Sequence, residues 1–327
     1  MAKILYFDRV TPALQDLFES QKPAGFELAY WHLLSDADRE AELENADFLM
    51  VAAHKITADM LGKAQKTRFI QKNGIGVDNI DLEAAYKLGI PVSNAPGGNT
   101  GAVAEFTIGL IISTYRRLVQ LDKATKGGEW LMWDLRPFTY EMAGKVHGIV
   151  GFGNIGQETA RLSKAFGTKI LYYDVNRLAP EKEQALGVVY APLDEILCQA
   201  DIVSVHVPLL SSTRNLIGGK ELALMKKTAI IVNVARGNIV DEEAMHEALV
   251  NNRLLGAAFD VWSSEPVPKT NKLLALDNVI ATPHIAAGTR DTLTGILRTG
   301  FTNIKRVHDG DMPDFVVNKV TGPRAVK

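Results

Sequence analysis

Short apolar runs alternate with amphipathic stretches along almost the whole chain, and this alternation constrains the fold more than any other feature. Residues 3–7, 48–52, 69–71 and 91–93 read as strands, with helical patterns over 12–20, 37–44, 58–63 and 82–88 between them. Apolar strands separated by helices point to a parallel sheet covered on both faces. A second series begins near residue 146, with strands expected over 146–151, 169–174, 188–190, 202–207, 229–234, 256–260 and 279–282. Between the series lies Asn94-Ala95-Pro96-Gly97-Gly98-Asn99-Thr100, a dense turn cluster. One long helix is expected over 103–121 and another over 289–308.

Two series in 327 residues suit two domains better than one. The stretch after residue 290 is too short to be a domain and is expected to return to the first. The expected division is 1–99 with 290–327 as one discontinuous domain, and 100–289 as the other. A cleft between two such domains is the default place for a ligand.

The second series opens on Gly151-Phe152-Gly153-Asn154-Ile155-Gly156, after an apolar strand and before a helical stretch over 158–166. With 27 glycines in the chain the spacing alone is weak, and its context makes it specific. Gly151 suits a tight turn, Gly153 lets the backbone approach a pyrophosphate, and Gly156 lets the helix pack on the strand. The helix start at Asn154 and Ile155 then offers N–H groups to the phosphates. Asp174 ends the next strand, 18 residues after Gly156. Its carboxylate suits the two ribose hydroxyls of NAD and repels the 2′-phosphate of NADP. Arg177, three residues on, would soften that preference. A methyltransferase site for S-adenosylmethionine uses similar glycine turns, and the downstream residues argue against it.

Three further segments end a strand with a polar residue, and in open α/β sheets ligands sit beyond those ends. They are Val234-Ala235-Arg236-Gly237, Phe259-Asp260-Val261 with Glu265-Pro266, and Thr282-Pro283-His284. Reducing a 2-oxo acid requires a proton donor that titrates near neutrality, which suits His284. Glu265 beside it would stabilise the imidazolium. Arg236 can hold a substrate carboxylate and polarise its carbonyl. Asp260 can accept from the nicotinamide amide. Val207-Pro208, with Val234 and Ala235, read as wall around the cofactor, and His206 as structural.

These segments, with Asn73-Gly74-Ile75-Gly76-Val77-Asp78-Asn79-Ile80-Asp81 and Asn94-Ala95-Pro96-Gly97-Gly98-Asn99, resemble the D-isomer-specific 2-hydroxyacid dehydrogenase family over nearly the whole chain. The resemblance implies a Rossmann NAD-binding domain over 100–289 and a flavodoxin-like substrate-binding domain over 1–99 and 290–327. It implies a catalytic Arg236, Glu265 and His284, backbone N–H groups around Gly74, Ile75 and Gly76 for the substrate carboxylate, and a homodimer. Phosphoglycerate members typically carry Arg-Ser where this chain has Val51-Ala52 before Ala53-His54-Lys55, and many append a regulatory domain not expected here. That disfavours phosphoglycerate, although Lys72, Lys55 or Arg136 offer substitutes. Two other readings remain open: an NAD(H)-sensing interaction protein of the same fold, or a dehydrogenase for another small anion such as phosphite or formate. The Trp130 to Arg136 segment suits either a pocket cover or a dimer contact.

Composition narrows the classes further. A net charge of −2 with no basic block gives no electrostatic footprint for nucleic acid. No apolar run reaches the ~18 residues of a membrane helix. The first residues read as a strand rather than a signal peptide, so a cytoplasmic protein is expected. Cys198, the one cysteine, gives no metal spacing and is expected to be a buried thiol.

Overall fold

The computed structural model describes residues 1–322 and Arg324, and the chain divides into two compact units, Met1–Asn99 with Arg290–Lys327, and Thr100–Thr289.

The first unit carries strands β1 (Ala2–Tyr6), β2 (Phe26–Tyr30), β3 (Phe48–Val51), β4 (Phe69–Lys72) and β5 (Val92–Ser93). All pair in parallel, in the order β2-β1-β3-β4-β5. That is the flavodoxin-like order, which reverses between β1 and β3. Helices α1 (Pro12–Gln21), α2 (Asp36–Asn45), α3 (Ala58–Lys63) and α4 (Leu82–Lys87) start where side-chain oxygens of Thr11, Ser35, Thr57 and Asp81 accept orphan N–H groups. Strand β2 was not among the expected strands. It lies at the sheet edge and only Phe26 is buried, so its alternation is weak.

The second unit begins with α5 (Thr100–Tyr115), α6 (Leu118–Lys126) and α7 (Met132–Leu135). The single helix expected over 103–121 is broken. Arg117 takes the left-handed conformation at φ 52°, which ends one helical axis and starts another. The sheet comes next as β6 (Val146–Val150), β7 (Lys169–Tyr173), β8 (Val189–Tyr190), β9 (Ile202–Val205), β10 (Ile230–Asn233), β11 (Gly256–Phe259) and β12 (Val279–Ala281). It is parallel throughout, in the order β12-β11-β10-β9-β6-β7-β8. The reversal between β6 and β9 makes this a Rossmann sheet with a seventh strand, and places the switch point at the glycine turn. Helices α8 (Asn154–Ala165), α9 (Pro180–Leu186), α10 (Leu193–Gln199), α11 (Gly219–Leu224) and α12 (Glu242–Val250) connect the strands.

Helix α13 (Arg290–Asp309) belongs to the first unit. Leu297, Phe301, Ile304 and Val307 on its buried stripe pack with Ile4, Phe48 and Phe69. The chain beyond it closes the β5 edge, where Val317 N–H donates to the Val92 carbonyl and Asn318 bonds both Val92 and Ile90. Cys198 corrects the sequence expectation. In α10 the inward positions are Ile196 and Leu197, which leaves the thiol exposed. No helix of the described residues is long and apolar enough to cross a membrane.

Candidate active site

The glycine turn comes after β6 and leads into α8. A Cβ at Gly151 would stand 2.6 Å from the Val207 nitrogen, and one at Gly156 would stand 2.2 Å from the Gly151 carbonyl oxygen. Only glycine lets strand, turn and helix come this close. A Cβ at Gly153 would meet nothing within 4 Å, so open space lies where a pyrophosphate would approach. Helix α8 has no acidic residue in its first turn, so its N-terminal dipole is not offset. Asp174 comes directly after β7; its Oδ2 accepts from Phe152 N–H at 2.7 Å and its Oδ1 from Asn176 N–H at 2.9 Å. The acid is thus tied to the turn itself. Arg177 is engaged elsewhere: its guanidinium makes a two-point bond to Glu183 at 2.9 and 3.1 Å and stacks over Tyr190 at 4.9 Å. These residues fit NAD. Val207 and Pro208 lie just past β9, and Val234 and Ala235 just past β10, all at the same carboxyl edge.

The ends of β10, β11 and β12 build the rest. After β10, the Asn233 side chain closes the turn by donating to the Arg236 carbonyl and accepting from Ala235 N–H. A Cβ at Gly237 would lie 1.9 Å from the Trp262 carbonyl oxygen, so the glycine lets the Arg236 turn press against the loop after β11. In that loop Trp262 N–H donates to Glu265 Oε1 at 3.0 Å. Glu265 Oε2 stands 2.7 Å from His284 Nδ1, with the two side chains 36% and 45% exposed, open enough for a ligand to reach. Burial pushes the Glu265 carboxyl up. The His284 hydrogen bond and charge, the Trp262 N–H and the Arg236 charge more than offset that and hold it below its ordinary value.

His284 sits at φ 54°, uncommon for a residue with a Cβ. Asp260 explains how it is held. Its carbonyl accepts from His284 N–H at 2.7 Å, and its fully buried carboxylate accepts from the Thr282 hydroxyl, Ile285 N–H and Ala286 N–H at 2.6–2.9 Å. The carboxylate expected to meet the nicotinamide amide therefore has three acceptor directions filled from within, and fixing the His284 loop is the role this geometry gives it. Trp262 adds a brace, its ring N–H donating to the Thr282 carbonyl at 3.0 Å. Neither Trp262 nor Thr282 was singled out from the sequence. Their partners lie about 20 residues away, and no local pattern marks them.

Beneath the glycine turn runs a buried polar chain. His147 Nδ1 bonds the Ser163 hydroxyl at 2.9 Å, its Nε2 bonds Ser204 at 2.8 Å, and Ser204 also meets His206 Nε2 at 2.9 Å. Burial pushes both histidines down to about 3, so they stay neutral at pH 7.

The profile described as the NAD binding domain of D-isomer specific 2-hydroxyacid dehydrogenase matches residues 108–286. A D-3-phosphoglycerate dehydrogenase of Methanocaldococcus jannaschii is 39% identical over 99% of this chain, which spans only 61% of that relative's length. A glyoxylate reductase of Aeropyrum pernix is 40% identical over 89% of this chain and 86% of its own. The apo-structure of D-lactate dehydrogenase from Escherichia coli superposes with a TM-score of 0.85 at 28% identity, covering 96% of this chain and 99% of that one. The chain belongs to the D-isomer specific 2-hydroxyacid dehydrogenase family, NAD-dependent oxidoreductases acting on CH–OH donors, and its cofactor is NAD.

Proposed function

We propose that this protein interconverts a small 2-oxo acid and its D-2-hydroxy acid, with His284 as proton donor in reduction and acceptor in oxidation. The observation that carries the reading is the 2.7 Å contact between His284 Nδ1 and Glu265 Oε2. A carboxylate only accepts, so Nδ1 keeps its hydrogen in both charge states and Nε2 carries the proton that moves. Glu265, held ionised, balances the imidazolium before transfer.

When bound, NADH supplies the hydride that goes to C2. His284 Nε2 gives its proton to the C2 oxygen, which leaves a 2-hydroxy acid and a neutral imidazole. Arg236 holds the substrate carboxylate and polarises the carbonyl. Gly74, Ile75 and Gly76 offer backbone N–H donors suited to a carboxylate, and the first unit is read as the substrate-binding domain. Gly151, Gly153, Asn154, Ile155 and Gly156 take the pyrophosphate, Asp174 the ribose, and Val207, Pro208, Val234 and Ala235 line the cofactor. Asp260 serves by positioning His284 and, with NAD bound, would also accept from the nicotinamide amide. The assembly is a homodimer, which sedimentation velocity tests.

The relatives' names point to glyoxylate and to phosphoglycerate as substrate types. The test is NADH oxidation against glyoxylate, hydroxypyruvate, pyruvate, 2-ketogluconate and phosphohydroxypyruvate. Turnover of one member, lost in His284→Ala while NADH still binds, supports the reading. Full activity in that variant, or silence across the panel, sinks it.

A further inference from the structure

In a Rossmann sheet the acid after the second strand accepts from the ribose of NAD, and an arginine near it takes the 2′-phosphate of NADP. This chain carries both in one turn. Asp174 follows β7, Val175 to Arg177 are exposed, and Arg177 is the cation nearest to Asp174 in sequence. By residue order the pair suits either cofactor.

Glu183, in α9, decides what Arg177 meets. Its Oε1 accepts from the arginine Nε at 2.9 Å and its Oε2 from Nη2 at 3.1 Å, the two-point fit of a carboxylate to a guanidinium. The Glu183 side chain is 12% exposed and that of Arg177 57%, so the carboxylate is the fixed partner. Other groups hold the pair in place. The Tyr172 hydroxyl donates to Glu183 Oε1 at 2.7 Å and accepts from Leu178 N–H at 2.9 Å. Tyr190, opposite Tyr172 across β7 and β8, puts its ring 4.9 Å from the guanidinium. The Arg177 guanidinium and the Tyr172 hydroxyl hold the Glu183 carboxyl below its ordinary value. The cluster is also continuous with the glycine turn. The Tyr172 ring stacks on Phe152 at 4.1 Å, and Phe152 N–H is the donor to Asp174 Oδ2. The tyrosine that orients Glu183 thus packs on the residue that holds Asp174.

We infer that Glu183 is a specificity-determining residue for NAD over NADP, because it withholds Arg177 from a 2′-phosphate while Asp174 repels one. The inference rests on the reading that Asp174 takes the ribose. Glu183 acts through Arg177. To serve a phosphate the arginine must first give up its two-point bond and its stack on Tyr190, and that loss falls on NADP alone.

The experiment titrates NADH and NADPH onto the protein by nicotinamide fluorescence, at low salt because salt screens an exposed guanidinium. It needs no substrate, so it stands whichever acid is turned over. Glu183→Gln keeps the shape and removes the charge. Added to Asp174→Ala, it should raise the affinity for NADPH relative to NADH about tenfold, the size of one charge-assisted hydrogen bond. Arg177→Ala, added to those two, should abolish the gain. An unmoved ratio, a gain that survives Arg177→Ala, or an equal fall in both affinities overturns the inference. A ratio that Asp174→Ala alone does not move sinks the ribose reading instead, and the step on adding Glu183→Gln still decides the role of Glu183. Should the variants melt below the parent, the unmodified protein decides. On titration with adenosine 2′,5′-bisphosphate, its Arg177 Nε–H resonance should move no further than with 5′-AMP. A larger shift shows the guanidinium leaving Glu183 for the phosphate and overturns the inference.

Discussion

In the second unit, the carboxyl edge of the sheet keeps its chemical groups available. Glu265 and His284 are partly exposed, a Cβ at Gly153 would stand in open space, and α8 begins with an uncompensated positive end. In the first unit the same edge turns its polar groups on one another. Asp8 takes three amides, and Lys72 takes a carbonyl and an amide oxygen. Both edges come from parallel β-α-β units, so the difference lies in the loops that leave the strands. The loop that carries His284 leaves its polar groups open and is anchored from behind by Asp260. The loops after β1 and β3, which carry none of the groups assigned to the reaction, satisfy themselves.

The contrast breaks most sharply at His284. His284→Ala should lower kcat by roughly 10²–10⁴-fold, the usual contribution of a positioned acid or base, while NADH affinity by fluorescence titration stays within error. A loss confined to KM would make His284 a binding residue and the second edge no different from the first.

Acid separates the units next. His147 and His206 are held neutral down to about 3, whereas an unfolded histidine protonates near 6.5. The unfolded chain then binds more protons, so their contribution is full above about 6.5 and falls with pH toward 3. At pH 5 the loss is about 2 kcal/mol for each histidine. Hydrogen exchange between pH 7.5 and 5 should show β6 and β9 losing protection before β1 and β3, and His147→Leu should flatten the dependence. Uniform loosening of both sheets would contradict this.

Asp260→Asn tests anchoring against chemistry. It keeps the shape but offers N–H groups to N–H groups, so kcat should drop about 10- to 100-fold through a misplaced His284, with its pH profile retained. An unchanged rate would show that the His284 loop holds itself. The smallest effect belongs to Asp174→Ala, which should relax NAD preference over NADP by about tenfold, measured as a ratio of kcat/KM values. Since Arg177 is paired with Glu183, a larger relaxation needs Glu183 altered as well.

Much of this was legible from residue order. The alternation of apolar and amphipathic stretches marked eleven of the twelve strands of the described residues, and the glycine turn with Asp174 marked the switch-point edge of the second sheet. Arg236, Glu265 and His284 stood out because each lies beyond the end of a strand. The misses share a cause. β2 is a half-exposed edge strand, the break at Arg117 is one left-handed residue in an apolar pattern, and Cys198 differs from Leu197 only by a step around a helix. Local period does not resolve such differences.

The sequence by itself determined which segments are strands and helices and which chemical groups stand at strand ends, because those depend on neighbours a few residues apart. Tertiary structure alone decided which groups meet. Glu265 meets His284 across 19 residues, and Asp8 reaches the Ala52 to His54 amides across 44 to 46. His147 finds Ser204 across 57. The register of parallel strands sets these meetings, and register is fixed only when the strands pack into one sheet.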